Sequence, residues 1–227
     1  MTENNRVVVD VWGRLACFTR PEAKVERYSY PTITPSAARG VLSAIYFKPI
    51  EFYYQIEKIE LINPIKRINI KTNEITDKII INKKQIKYIY SDDKRTQRNT
   101  SYLKDPYYRI TARIIKFDDF KKHNITGLVA QFNQRVEKGK CFYQPYLGTR
   151  ECIAYFSPPN YDKKPLDINM DLGIMLYDIF NIKNNIPDKY EVSLFSAKIK
   201  DGEMLVPEFD DPQVIRLNKY VMENKHD

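Results

Sequence analysis

Histidine is scarce: His123 and His226 are the two in 227 residues, and His226 stands next to last. Few imidazoles are therefore available for acid–base or metal work. Cysteine is scarce as well. Cys17, Cys141 and Cys152 are odd in number and far apart, with no C-x-x-C and no Cys/His cluster at zinc-ligand spacing. That argues against a disulfide framework and for a reducing cytoplasm. Seven glycines leave no Gly-rich phosphate loop, and neither G-x-x-x-x-G-K-[ST] nor G-x-S-x-G occurs. No apolar run is long enough for a signal peptide or a membrane span. The close acidic pairs, Asp92-Asp93 and Asp118-Asp119, read as solvated loop residues. No metal, cofactor or membrane partner is expected.

Positive charge is plentiful: 37 Lys and Arg against 29 Asp and Glu give a net charge of +8. Such a balance suits a polyanion, because cations that neutralise phosphates release condensed counterions. It also suits an ordinary Lys-rich surface.

The length fits one large domain, or one domain with an appendage. Alternation at Val7, Val9 and Val11 starts a strand that the pattern carries from Arg6 to Thr19. Thr34-Pro35 opens a helix that Lys48-Pro49 ends, with the stripe Ala38, Val41, Leu42 and Ile45. Glu51–Ile62 reads as a second strand. Residues 63–105 read as a β-rich insertion with one short hairpin, a β-prone piece around Ile86–Tyr90 and a polar stretch from Ser91 to Thr100. Tyr107–Phe117 is a strong strand, Ile125–Lys138 a helix stopped at Gly139, and Glu151–Phe156 another strand. Ser157-Pro158-Pro159 marks a boundary. Beyond it lie an apolar stretch from Asp171 to Phe180 and a hairpin from Glu191 to Phe209 turning at Asp201-Gly202. The tail from Asn218 is polar. The order strand, helix, strand, strand, helix, strand predicts an α+β, ferredoxin-like (RRM-like) domain over 1–157, with a small C-terminal β-sheet domain over 158–227.

Arg39, Ser43 and Tyr46 fall at i, i+4 and i+7, on one helical face beside a helix N-terminus that favours phosphate. The same spacing fits a solvated face with Tyr46 packed at its edge. On the third strand Arg109, Thr111 and Arg113 share one side. Lys116 has core parity but ends the strand, so it reads either as a rim group near Tyr46 or as a lysine with a buried stem. Arg95 and Arg98, in a run rich in hydrogen-bonding side chains, fit an RNA clamp or a solvated loop.

Ala16-Cys-Phe-Thr-Arg-Pro-Glu22, Thr34-Pro-Ser-Ala-Ala-Arg-Gly-Val-Leu-Ser-Ala-Ile-Tyr-Phe-Lys-Pro49, Arg95-Thr-Gln-Arg-Asn-Thr100 and Tyr146-Leu-Gly-Thr-Arg-Glu151 follow one another in an order that resembles the CRISPR-associated family five, subtype d. The resemblance implies a metal-independent endoribonuclease that cuts CRISPR repeat RNA, keeps the mature crRNA 5′ handle, and sits in a type I-C Cascade beside a large subunit and backbone subunits. It implies a catalytic Tyr at Tyr46 and a Lys at Lys116. The family's next residue is His, where this chain has Phe117; His123, six residues on, is a candidate replacement. Arg39, Ser43, Lys48, Arg95, Arg98, Arg109 and Arg113 are the RNA-binding candidates. A non-catalytic handle-binding subunit is the leading alternative. A DNA-binding regulator lacks a convincing recognition helix, and a metal-dependent nuclease is less favoured still.

Overall fold

A computed structural model describes residues 5–23, 26–75, 81–82, 85–86, 95–117, 123–184 and 191–217. The elements run β1 Arg6–Trp12, β2 Leu15–Ala16, β3 Arg27–Tyr28, α1 Pro35–Ile45, β4 Phe52–Leu61, β5 Arg67–Ile75, β6 Ile81–Asn82, β7 Gln85–Ile86, β8 Arg95–Lys104 and β9 Tyr107–Lys116. There follow α2 Ile125–Glu137, β10 Tyr155–Ser157, β11 Met170–Asp178, β12 Ser193–Lys200, β13 Glu203–Leu205 and β14 Ile215–Arg216. The acidic pairs at 92–93 and 118–119, His226 and the tail from Asn218 lie outside the described residues, as does most of the β-prone piece expected at 86–90.

The main sheet has the order β10-β1-β9-β4-β13-β12-β11, with β14 also on β12, and every pairing in it is antiparallel. Val7, Val9 and Val11 of β1 and Tyr108, Ile110, Ala112 and Ile114 of β9 turn to one core. The stripes Ala38, Val41, Leu42 and Ile45 of α1 and Leu128, Phe132 and Val136 of α2 close over it. The result is a mixed, mostly antiparallel sheet with two helices.

Three expectations change. The first strand ends at Trp12, and Gly13 then passes so close to the 153 backbone that a Cβ there would lie 2.7 Å from the Ile153 carbonyl. The insertion is not one short hairpin. β5 and β8 pair in unbroken register from Arg67↔Leu103 to Ile75↔Arg95, and β8 also carries β2 and β3. Most side chains of this ribbon are exposed or half-buried, so it lacks the buried face that would have marked β8 as a strand. Finally, the strand expected at 151–156 is confined to β10. The strands beyond Pro158 form no separate sheet, since β13 pairs with β4 through Met204↔Ile59.

A buried ion pair fixes the other face of this sheet. Asp10 and Arg109 are cross-strand partners, 0% and 3% exposed. Arg109 Nε donates to Asp10 at 2.8 Å, and its Nη2 reaches the carbonyls of Asn160 at 2.5 Å and Lys163 at 3.3 Å. Asp10 also accepts from Tyr107 Oη at 3.1 Å and Asn160 N at 2.9 Å. Removing one member of a buried pair leaves an uncompensated charge. Arg109→Ala is therefore expected to lose about 3–5 kcal/mol of stability, read as a lower denaturant midpoint.

Candidate functional site

Thr34 caps α1 as the sequence predicts, accepting from Ala37 N at 3.2 Å, with Pro35 in the first turn. The helix ends at Ile45. Tyr46 is already extended, with φ −154° and ψ 121°, so helical spacing does not govern where it points. Its ring is buried and packs 5.6 Å from Phe52. Its hydroxyl donates to Gln131 Oε1 of α2 at 2.8 Å, and its carbonyl accepts from Tyr54 Oη at 2.5 Å. Arg135, four residues on from Gln131, donates to the Ile45 carbonyl at 2.8 Å and lies 5.9 Å from the Tyr46 ring centre. Burial pushes the phenol's pKa up, against the pull of Lys48. At neutral pH Tyr46 is thus a hydrogen-bond donor and not a phenolate.

Lys116 ends β9 directly opposite Phe52. Cross-strand partners share a face, so Lys116 rises on the same side as Phe52, whose ring meets Tyr46. It is half-buried. Phe117 follows; its N–H donates to the Glu51 carbonyl at 3.1 Å and its ring packs on Tyr53. Glu51 is 8% exposed. Its carboxylate takes Lys48 Nζ at 3.1 Å and His123 Nδ1 at 2.9 Å. Asn124, next in the chain, caps α2 by accepting from Gly127 N at 2.7 Å. Tyr46, Lys48, Glu51, Lys116 and His123 therefore gather where α1 ends, β9 ends and α2 begins. Such a site can donate a proton or hydrogen bond from a phenol, hold a phosphate between lysines, and orient an imidazole through a carboxylate.

The other candidates lie elsewhere. Arg39 does not share a surface with Tyr46; it forms a bidentate pair with Asp178 of β11 at 2.8 and 2.7 Å. Ser43 is half-buried on α1. Arg109 is buried on Asp10, contrary to the open polar face read for β9. Arg113 binds Glu57 at 2.7 Å and also pairs with Glu208. Arg95 and Arg98 are three apart on a strand and so face opposite sides of the ribbon, with Arg98 3.3 Å from Glu74. Glu51, Gln131 and Arg135 escaped the sequence reading. The i, i+4 spacing of Gln131 and Arg135 beside Phe132 and Val136 was the available signal.

Arg39→Ala leaves the Asp178 carboxylate, 2% exposed, with the Ile179 and Phe180 N–H groups as donors. It is expected to cost about 1–3 kcal/mol, measured by chemical denaturation. Unchanged stability would return Arg39 to the list of groups free for a ligand.

A family model of the Cas5d group, described as CRISPR-associated protein (Cas_Cas5), matches residues 7–207. A curated Thermus thermophilus protein named CRISPR pre-crRNA endoribonuclease Cas5d is 37% identical, over 94% of this chain and 96% of its own. A Mannheimia succiniciproducens protein of the same name is 39% identical, over 93% and 99%. Among solved structures, a CRISPR-associated protein shares the fold at TM-score 0.66 and 23% identity, covering 92% of this chain and 96% of that one. With nearly its whole length matched by the family model and both curated relatives, the chain belongs to the CRISPR-associated Cas5 family, in its Cas5d group.

Proposed function

We propose that this chain is an endoribonuclease that cleaves precursor CRISPR RNA within the repeat, without a metal, and retains the 5′ handle as a subunit of a type I-C Cascade beside the large and backbone subunits. Two relatives above 35% identity carry the activity in their names. The observation that carries the reading is the convergence of Tyr46, Lys116 and the Glu51–His123 pair at one end of the sheet. The order β10-β1-β9-β4 under α1 and α2 supports a ferredoxin-like reading of residues 1–157, with 63–105 inserted and 158–227 as a β-rich extension.

The RNA 2′-OH attacks the adjacent phosphorus. The O2′–P bond forms, the P–O5′ bond breaks, and the products are a 2′,3′-cyclic phosphate and a 5′-OH. One proton leaves the 2′ oxygen and one reaches the 5′ oxygen. Lys116 and Lys48 offset the charge that builds on the phosphorane oxygens. RNA displaces the exposed Gln131 amide and takes up the Tyr46 O–H, which holds the attacking group in line. His123, steadied by Glu51, moves the proton that Phe117 cannot.

Phe117 also favours a second reading, in which the site binds the 5′ handle and no longer cuts it. Cleavage of the cognate repeat RNA in EDTA separates the two. Wild type is expected to cut, and a deoxy substitution at the attacking 2′ position to abolish cutting while sparing binding. Lys116→Ala and Tyr46→Phe are expected to lower the single-turnover rate by about 10²–10³-fold with binding retained. His123→Ala is expected to fall by at least about tenfold; a rate equal to wild type removes His123 from the mechanism. Tight binding with no cutting by wild type establishes the second reading.

A further inference from the structure

At the opposite end of β9 the face of the sheet away from the helices carries an aromatic ladder that runs from a buried ring to an exposed one. Trp12 is the cross-strand partner of Tyr107 on β9 and of Tyr155 on β10, so the three side chains rise on one face. The Trp12 and Tyr107 rings are 5.5 Å apart and 11° from parallel; those of Trp12 and Tyr155 are 6.2 Å apart and 29° from parallel. The outer side of Tyr107 is covered by Lys163, whose Nζ lies 4.0 Å from the ring centre. At the other end Tyr155 is 52% exposed on β10, the edge strand of the sheet. The ladder is rigid. Tyr107 Oη is tied to Asp10, and the Asn160 and Lys163 carbonyls bonded to Arg109 fix the segment that delivers Lys163.

Tyr107 is buried and Trp12 half-buried, so Tyr155 is the ring of the ladder left open. An exposed ring backed by further stacked rings offers an unpaired nucleotide a rigid π face for its base. A duplex offers no free base to such a ring, and a chain of net charge +8 suits the phosphates of a single strand. We propose that the Tyr107–Trp12–Tyr155 ladder is a second RNA contact, on which an unpaired nucleotide of the bound RNA stacks against Tyr155. This rests on the chain being an RNA-processing protein. Nine residue steps along β9 separate Tyr107 from Lys116, roughly 30 Å at about 3.3 Å per residue. The ladder therefore engages nucleotides outside the cleaved linkage.

Trp12 is the one tryptophan in the chain, so its fluorescence reports on the ladder directly. Titration of the full chain with single-stranded hexa-adenylate is expected to quench that fluorescence saturably. Tyr155→Ala is expected to weaken the apparent affinity about tenfold, and Tyr155→Phe to restore it. No quenching by the oligonucleotide, or equal affinity in Tyr155→Ala, overturns the proposal. Cleavage of repeat RNA by wild type is measured in parallel. Cutting without quenching sinks the ladder alone, whereas quenching without cutting sinks the enzymatic reading and leaves the ladder standing.

Discussion

The sheet is organised around one buried charge pair. Asp10 and Arg109 sit on the two central strands of the N-terminal half, and Glu60, the partner of Arg109 on β4, lies 3.9 Å from the guanidinium. Ions removed from water persist only when their hydrogen-bonding capacity is met. Here a tyrosine, a backbone N–H and two carbonyls complete it. The same bonds pin residues 160–163 across the sheet. They also lock the register of β1 against β9, where a slip of one residue would turn every core side chain of the strand to solvent. Because β9 runs from Tyr107 to Lys116, that register sets both the aromatic ladder and the place of Lys116.

At the far end the constraint is steric. α1 stops at Ile45, and the chain must turn through Tyr46 to enter β4. The aromatic cluster of Tyr46, Phe47, Phe52 and Tyr54 fills that corner. A phenol trapped there stays protonated and directional. The lysines and the Glu51–His123 pair stand nearer solvent, where a phosphate can meet them. Packing and polarity separate here: the core holds the phenol still, and charge gathers beside it.

Much of this was legible in the sequence. The Thr34-Pro35 start of α1, its four-residue stripe, the stop of α2 at Gly139 (φ +59°) and the turn at Asp201-Gly202, both at positive φ, are local signals with local causes. The misreadings share a different origin. Parity places Arg109 on the side away from the helices but is silent on what covers that side, and the cover comes from residues about fifty positions later. Arg39 shows a helical residue's position but not its partner, which lies on β11. β8 hid because a ribbon with little to bury has no hydrophobic alternation to display. His123 stands six residues from the place where an imidazole was expected, and its link to Glu51 is visible only once β4 and α2 are side by side.

The pairing of β13 with β4 has a consequence for how the chain is made. One edge of β4 is taken by β9, but the other stays bare until Leu205 has been synthesised, well over a hundred residues after Leu61. At about 5–20 residues per second the nascent chain carries an open strand edge for many seconds. Lys58 and Glu60 lie on that stretch of β4, and in the finished protein Lys58 binds Glu203 at 2.8 Å. Charged residues along an open edge discourage pairing with a neighbouring chain. Lys58, a charge on that edge while the ribosome works, thus becomes a bond to β13 when the last strands arrive.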